Sequence, residues 1–321
     1  MFTILRRLAL LPLLGLLGCG GESTPADAAA EAGDEEELKA AGSYVPILDY
    51  WKTEADQNRW LDVRRNLDQA FDTICGDTFC GGDYSNLESL GFNCSVAKKT
   101  GRVAECVWTF AGSQESVNAK TGQVAVDAPH YLCRLPTKAF ATAVLTGLEA
   151  DPLRAIVPGT KTSLYDLIGE CFNRPTGGTP LPATPAGSHV ETPRPDASEA
   201  DQSAWYDGRF ALKQSFDNVC GDTFCSGDYS NIQSLRFVCG VNGKTDELGQ
   251  CLWAFAGSYD TVAAKDGKIT SNVKRFLCPV PVKGKASVLG ATLAAPGPIE
   301  VIQRILPGTT RSAYDALTGC L

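Results

Sequence analysis

Apolar residues recur at three- and four-residue intervals in two widely separated places: Trp60, Val63, Leu67, Phe71 and Ile74, then Trp205, Leu212, Phe216 and Val219. That period predicts an amphipathic helix at each. Both helices are expected to stop at Gly76 and Gly221, where a glycine can take the left-handed conformation that closes a helix, with Cys75 and Cys220 in the last turn. Beyond them the period drops to two. Leu90, Phe92 and Cys94 share one parity, as do Cys106, Trp108 and Phe110, and then Tyr131, Cys133 and Leu135. Leu235, Phe237, Cys239, then Cys251, Trp253, Phe255, then Phe276, Cys278, Val280 repeat the pattern. These are strand patterns that turn their cysteines inward with the aromatics. Lys120-Thr121-Gly122-Gln123 and Lys265-Asp266-Gly267-Lys268 read as hairpin turns between strands. A closing helix follows Pro158-Gly159-Thr160 and Pro307-Gly308-Thr309, with stripes of Leu164, Leu167, Ile168 and Cys171, and of Ala313, Ala316, Leu317 and Cys320. The expected fold class is α+β: two tandem disulfide-rich domains, each an antiparallel sheet with helices packed on one face.

The duplication is close to letter for letter in one segment. Cys75-Gly76-Asp77-Thr78-Phe79-Cys80-x-Gly82-Asp83-Tyr84-Ser85-Asn86 recurs from Cys220 to Asn231, 145 positions later. The organisation expected is a leader over 1–18, an acidic tether over 19–43, a first repeat over 44–172, a linker over 173–200 and a second repeat over 201–321. The linker holds Pro175, Pro180, Pro182, Pro185, Pro193 and Pro195 among Gly, Ser and Thr. Such a composition predicts an extended, semi-stiff spacer that would span on the order of 30 Å and let the repeats reorient.

Net charge is −8, with 37 acidic against 29 basic residues. The excess is concentrated in the tether, where Glu22, Asp27, Glu31, Asp34, Glu35, Glu36 and Glu37 face Lys39 alone. The repeats are close to neutral and carry no basic stripe, which argues against a nucleic-acid partner. The 13 cysteines divide into Cys19 and six per repeat: Cys75, Cys80, Cys94, Cys106, Cys133 and Cys171, then Cys220, Cys225, Cys239, Cys251, Cys278 and Cys320. Even sets in an exported chain read as disulfides, with fifteen pairings open to each set of six. Zinc would call for paired Cys-x-x-Cys spacings or histidines. The chain has two histidines: His189 sits in the linker, and His130 stands opposite Arg275 in the other repeat.

Arg6 and Arg7, an apolar run from Leu8 to Leu17 and the small residues after it make an export leader. Leu16-Leu17-Gly18-Cys19 resembles the lipobox of bacterial lipoproteins. That resemblance implies cleavage before Cys19, lipidation of its sulfur and acylation of its new amine. Several acyl chains would hold a soluble body stably at a membrane. Gly20, where an aspartate would retain many such proteins at the inner membrane, implies the outer membrane. The repeat unit also resembles domains of uncharacterised exported myxobacterial proteins that contain Cys-x-Asp-Thr-Phe-Cys-x-Gly-Asp-Tyr; this implies no activity.

No set of residues defines a reaction. The chain lacks Gly-x-Ser-x-Gly and a repeated histidine, and its paired cysteines are poor nucleophiles. The sequence therefore assigns no catalytic residue, no cofactor and no metal ligand, and points away from an enzyme. Candidate binding residues lie in the repeated signature: Asp77, Asp83, Tyr84 and Asn86, with Asp222, Asp228, Tyr229 and Asn231. Three readings stand open for them. The Asp and Asn side chains cap backbone amides in a stapled loop, hold calcium with hard oxygens, or touch a partner. Trp108 with Phe110, and Trp253 with Phe255, read as core rather than as a stacking platform because they share parity with cysteines. The function expected is that of a lipid-anchored, non-enzymatic envelope protein whose two domains bind a protein or cell-envelope ligand. A hydrolase of peptidoglycan or polysaccharide, or a calcium-stabilised surface protein, is the alternative.

Overall fold

The computed structural model describes residues 43–81, 84–183 and 186–321. The leader, the Cys19 lipidation site, the tether as far as residue 42, and Asp83 lie outside the described residues. Repeat one runs β1 (Tyr44–Pro46), α1 (Ile47–Tyr50), α2 (Glu54–Cys75), β2 (Glu88–Ala97), β3 (Val103–Ala111), β4 (Gln114–Val117), β5 (Val124–Asp127), β6 (His130–Pro136), α3 (Ala141–Ala150) and α4 (Leu164–Cys171). Repeat two runs β7 (His189–Glu191), α5 (Glu199–Cys220), β8 (Gln233–Asn242), β9 (Leu248–Val262), β10 (Ile269–Val280), α6 (Ala286–Ala294) and α7 (Ala313–Thr318). Each repeat has a four-stranded antiparallel sheet, ordered β1-β2-β3-β6 in the first and β10-β9-β8-β7 in the second.

The long helices start where the sequence supplies caps. Thr53 and Ser198 accept from the amides of Asp56 and Asp201, satisfying donors left free in a first turn. Of the expected stripes they bury Trp60, Val63, Leu67 and Phe71, with Cys75, in α2, and Trp205, Leu212 and Phe216, with Gly208, Ser215 and Cys220, in α5, while Ile74 and Val219 are half-buried. Their ends differ from expectation. Gly76 and Gly221 are right-handed, with φ of −60° and −59°. The stop comes instead from a tightened turn in which the amides of Cys80 and Cys225 reach back to the carbonyls of Cys75 and Cys220, closed by the Cys75–Cys80 and Cys220–Cys225 disulfides.

The other cysteines pair Cys94–Cys106 and Cys239–Cys251 across adjacent strands, and Cys133–Cys171 and Cys278–Cys320 from sheet to closing helix. Both cores lie between the helices and one face of a sheet. Trp108 and Phe110, like Trp253 and Phe255, are buried there against Phe71 or Phe216, the tryptophans edge-on and the phenylalanines tilted. They are core.

One parity expectation fails in both repeats for the same reason. Ser89 pairs with Phe110 and Gly91 with Thr109, so Leu90 is the extra residue of a β-bulge; Ser234 and Arg236 leave Leu235 in the same position. A bulge reverses the side-chain alternation locally. Leu90 and Leu235 therefore leave their own cores and meet across the repeat boundary with Ala111, Ala128, Ala254 and Ala256. Val117, Val124, Val238 and Leu252 form a second apolar contact between the repeats.

The described residues of both repeats make one compact unit. The stretch 173–200 is thus no free spacer. Thr176 exchanges backbone hydrogen bonds with His130, the Thr179 amide donates to Asp127, and His189–Glu191 is an edge strand of the second sheet. The second repeat begins earlier than composition suggested, because three residues of edge strand carry almost no periodic signal.

The hairpin tips are exchanged. The Tyr44 amide donates to the Ala264 carbonyl in the tip of the β9-β10 hairpin, and the His189 amide donates to the Ala119 carbonyl in the tip of the β4-β5 hairpin. Both tips turn at glycines of positive φ, Gly122 at 70° and Gly267 at 76°. A side chain at either would strike His189 or Tyr44. In repeat one this arm is broken between β3 and β4 and between β5 and β6, where Pro129 cannot donate to a ladder; Lys274, its counterpart, can, and β10 runs unbroken.

Candidate functional site

The signature residues separate into solvent-facing and boundary-facing groups. Asp77, Asp222 and Asp228 are exposed and make no side-chain hydrogen bond among the described residues, so the capping reading does not apply to them. Asp83 lies outside the described residues. Tyr84 donates to Asp127 at 2.6 Å, which also accepts from the Thr179 amide. Tyr229 stacks edgewise on Phe276, with the Lys274 ammonium over both rings. No group of three or more His, Cys, Asp or Glu among the described residues could hold a metal ion.

Asn86 and Asn231 do structural work on two fronts. Within its own repeat, Asn86 accepts from the Ser113 amide at 2.9 Å and donates to the Ser113 hydroxyl at 2.8 Å; Asn231 does the same to Ser258 at 2.8 and 2.9 Å. Across the boundary, Asn86 donates to the Leu235 carbonyl at 3.1 Å and Asn231 to the Leu90 carbonyl. The bulge makes this possible. Its extra residue leaves the ladder, and the partner repeat's asparagine satisfies the carbonyl so released.

Beside this clasp the two repeats enclose a cleft of about 470 Å³, within the range of roughly 300–1,000 Å³ common for small-ligand sites. One wall is Ser85 and Asn86 of repeat one; the other is the α5 face carrying Tyr206, Arg209, Phe210 and Lys213, with Ser234 and Arg236 of β8 at the base. Tyr206 and Phe210 are 55% and 62% exposed, unusual for rings this large.

Its cations are unequally paired. Arg236 bonds Glu191 and lies 3.0 Å from the buried Glu115 carboxylate. Lys213 bridges Glu88 at 3.4 Å and Asp217 at 3.8 Å. Arg209 makes no hydrogen bond or direct ion pair among the described residues; burial, then the neighbouring Arg236 charge, pushes its pKa down against the opposing pull of Glu191 and Glu115. Burial likewise raises Glu88, to about 7, and raises Asp72 and Asp217, against the opposing pull of Lys213. These carboxylates cluster behind Lys213 and do not line the cleft.

The same wall in repeat one has other chemistry. Counting back 145 positions, Tyr206, Phe210, Lys213 and Arg236 become Leu61, Arg65, Asp68 and Gly91, while Arg209 becomes Arg64. Trp108 donates to Ser89, and Ser89 donates to Asp68 at 2.6 Å. In repeat two Trp253 donates to Ser234, but lysine replaces that aspartate and turns to Glu88. Ser234 is buried, at 3% exposure, and its hydroxyl is left with no acceptor among the described residues.

Sequence reasoning located Asn86 and Asn231 but missed Tyr206, Arg209, Phe210, Lys213, Ser234 and Arg236. Aligning the repeats position by position flags Tyr206, Phe210, Lys213 and Arg236, where the copies differ, but not Arg209 and Ser234, which match Arg64 and Ser89. Comparison with protein-family models, with curated proteins and with solved structures gives no match.

Proposed function

We propose that this chain is an exported, lipid-anchored cell-envelope protein that binds a ligand without transforming it, and that the cleft between its repeats is the binding site. One observation carries the reading: the cleft is lined by cations, exposed aromatic rings and hydroxyls, with no carboxylate pair and no activated nucleophile among its lining residues. Such a lining favours recognition: no His, Asp, Glu or Cys among the described residues lines the cleft as a general base for its Ser and Tyr hydroxyls, and Lys213 is held in ion pairs by Glu88 and Asp217. Six disulfides support an oxidising destination outside the cytosol. The lipobox supports the anchor, and Gly20 the outer membrane. Because the repeats form one body, they share one site rather than acting as two tethered modules.

The competing hydrolase reading draws on Glu88, whose raised pKa suits a general acid. It is weakened by the Lys213 bridge that occupies that carboxylate. The test is capture of detergent-solubilised envelope material on the immobilised mature protein, compared with a Tyr206→Ala/Phe210→Ala variant. Loss of capture in the variant is expected. Equal capture would remove the cleft from the reading, and release of reducing ends from peptidoglycan that Glu88→Gln abolishes would replace binding by hydrolysis.

A further inference from the structure

We propose that the ligand of this cleft is an anionic sugar, a pyranose ring bearing a carboxylate or phosphate, and that each chain binds it in one place. The inference rests on the binding reading above and names its ligand class.

Arg209 supplies the first constraint. Its guanidinium lines the cleft without a hydrogen bond or direct ion pair among the described residues; Glu191 and Glu115 attract it from a distance, but both are engaged directly by Arg236, so its donors are left for an anion. Its planar fork of donors suits the two oxygens of a carboxylate or phosphate. Ser234 supplies the second, a buried hydroxyl proton at the cleft base that has no acceptor among the described residues. It calls for a ligand oxygen. Tyr206 and Phe210 supply the third: they stand four residues apart on α5, one turn from each other, beside the cation. Flat exposed rings next to polar donors match a pyranose, which has apolar C–H faces and a hydroxylated rim.

An anion without a ring would leave the aromatics unused, and an acyl chain would leave Ser234 unpaired. The comparison between repeats sets the stoichiometry. In repeat one Asp68 accepts the hydrogen bond of the Ser89 hydroxyl, and the Asp68 and Asp260 carboxylates both interact with Arg64. Leu61 and Arg65 stand where the rings would be. That wall therefore offers neither the exposed rings nor a hydroxyl proton without an acceptor.

The decisive experiment is calorimetric titration of the mature protein with trigalacturonate, glucose 6-phosphate, neutral maltotriose, inorganic phosphate and phosphatidylglycerol vesicles. Binding of trigalacturonate or glucose 6-phosphate is expected at one site per chain, at least tenfold tighter than maltotriose or inorganic phosphate; which of the two binds identifies a uronate or a phosphorylated sugar. Arg209→Gln and Phe210→Ala should each weaken it at least tenfold, and Arg65→Ala in the other repeat should leave it unchanged. Phe210 is exposed, so its variant reports on the cleft even where Arg209→Gln disturbs folding. No binding of either anionic sugar, equal binding of maltotriose or inorganic phosphate, binding of vesicles alone, or binding indifferent to Phe210→Ala would overturn the proposal. Capture of envelope material that still depends on Tyr206 and Phe210 without anionic-sugar binding would sink the ligand class alone, whereas cleft-independent capture would sink the binding reading itself.

Discussion

Asn86 and Asn231 hold each other's repeat: Asn86 donates to the carbonyl of Leu235, and Asn231 to the carbonyl of Leu90. The contact is reciprocal, the mark of an isologous interface, here formed within one chain by duplicated sequence. Replacing Asn86 by Ala leaves the buried Ser113 and Leu235 backbone groups without partners, at a cost of about 2–3 kcal/mol. Asn231→Ala should cost a similar amount. Urea unfolding measures both, and a loss below about 0.5 kcal/mol would mean that water replaces the clasp.

Gly208 is where α5 meets α6. A Cβ there would lie 2.7 Å from Leu293 Cβ and 3.2 Å from the Ala294 amide. Repeat one has Val63 at the equivalent position, so its helices are packed differently. Gly208→Ala is expected to destabilise by about 1–3 kcal/mol through overpacking, despite alanine's better helix propensity. A rise in melting temperature would show that the helices part freely.

Glu88 makes stability depend on pH. Its folded pKa, about 7, exceeds the ordinary 4.5, so the folded state holds the proton more tightly. That stabilisation is complete below the ordinary value and is lost as pH rises through about 7. Asp68, Asp72 and Asp217 are raised too, and act with the same sign. Stability should fall on the order of 2 kcal/mol between pH 5 and 8 from Glu88 alone. Thermal melts across that range should flatten in Glu88→Gln; an unchanged slope would assign the dependence to other groups.

The disulfides should rank by the length of chain they close. Cys133–Cys171 and Cys278–Cys320 span 38 and 42 residues, against 5 for Cys75–Cys80 and Cys220–Cys225. In the chain-entropy account, replacing the first kind by paired serines costs about 4 kcal/mol and the second about 2 kcal/mol. Denaturant midpoints test the order, and its reversal would place native-state effects above loop closure.

Much of this molecule was legible in its sequence, since period, parity and turn chemistry act over a few residues. Both helix stripes, the inward cysteines, the core tryptophans and the Gly122 and Gly267 turns follow from such local rules. So does the duplication, which needs no geometry at all. The disulfide partners, the reversal at Leu90 and Leu235, and the docking of the linker were decided by tertiary structure. A bulge inserts one residue without changing composition, and a three-residue edge strand is defined by its neighbours. The cleft lay beyond sequence for the same reason. Arg209 and Arg236 are separated by a whole helix–loop–strand passage, and Ser85 and Asn86 come from the other repeat. Their meeting depends on two buried sheet faces that neither repeat could cover alone.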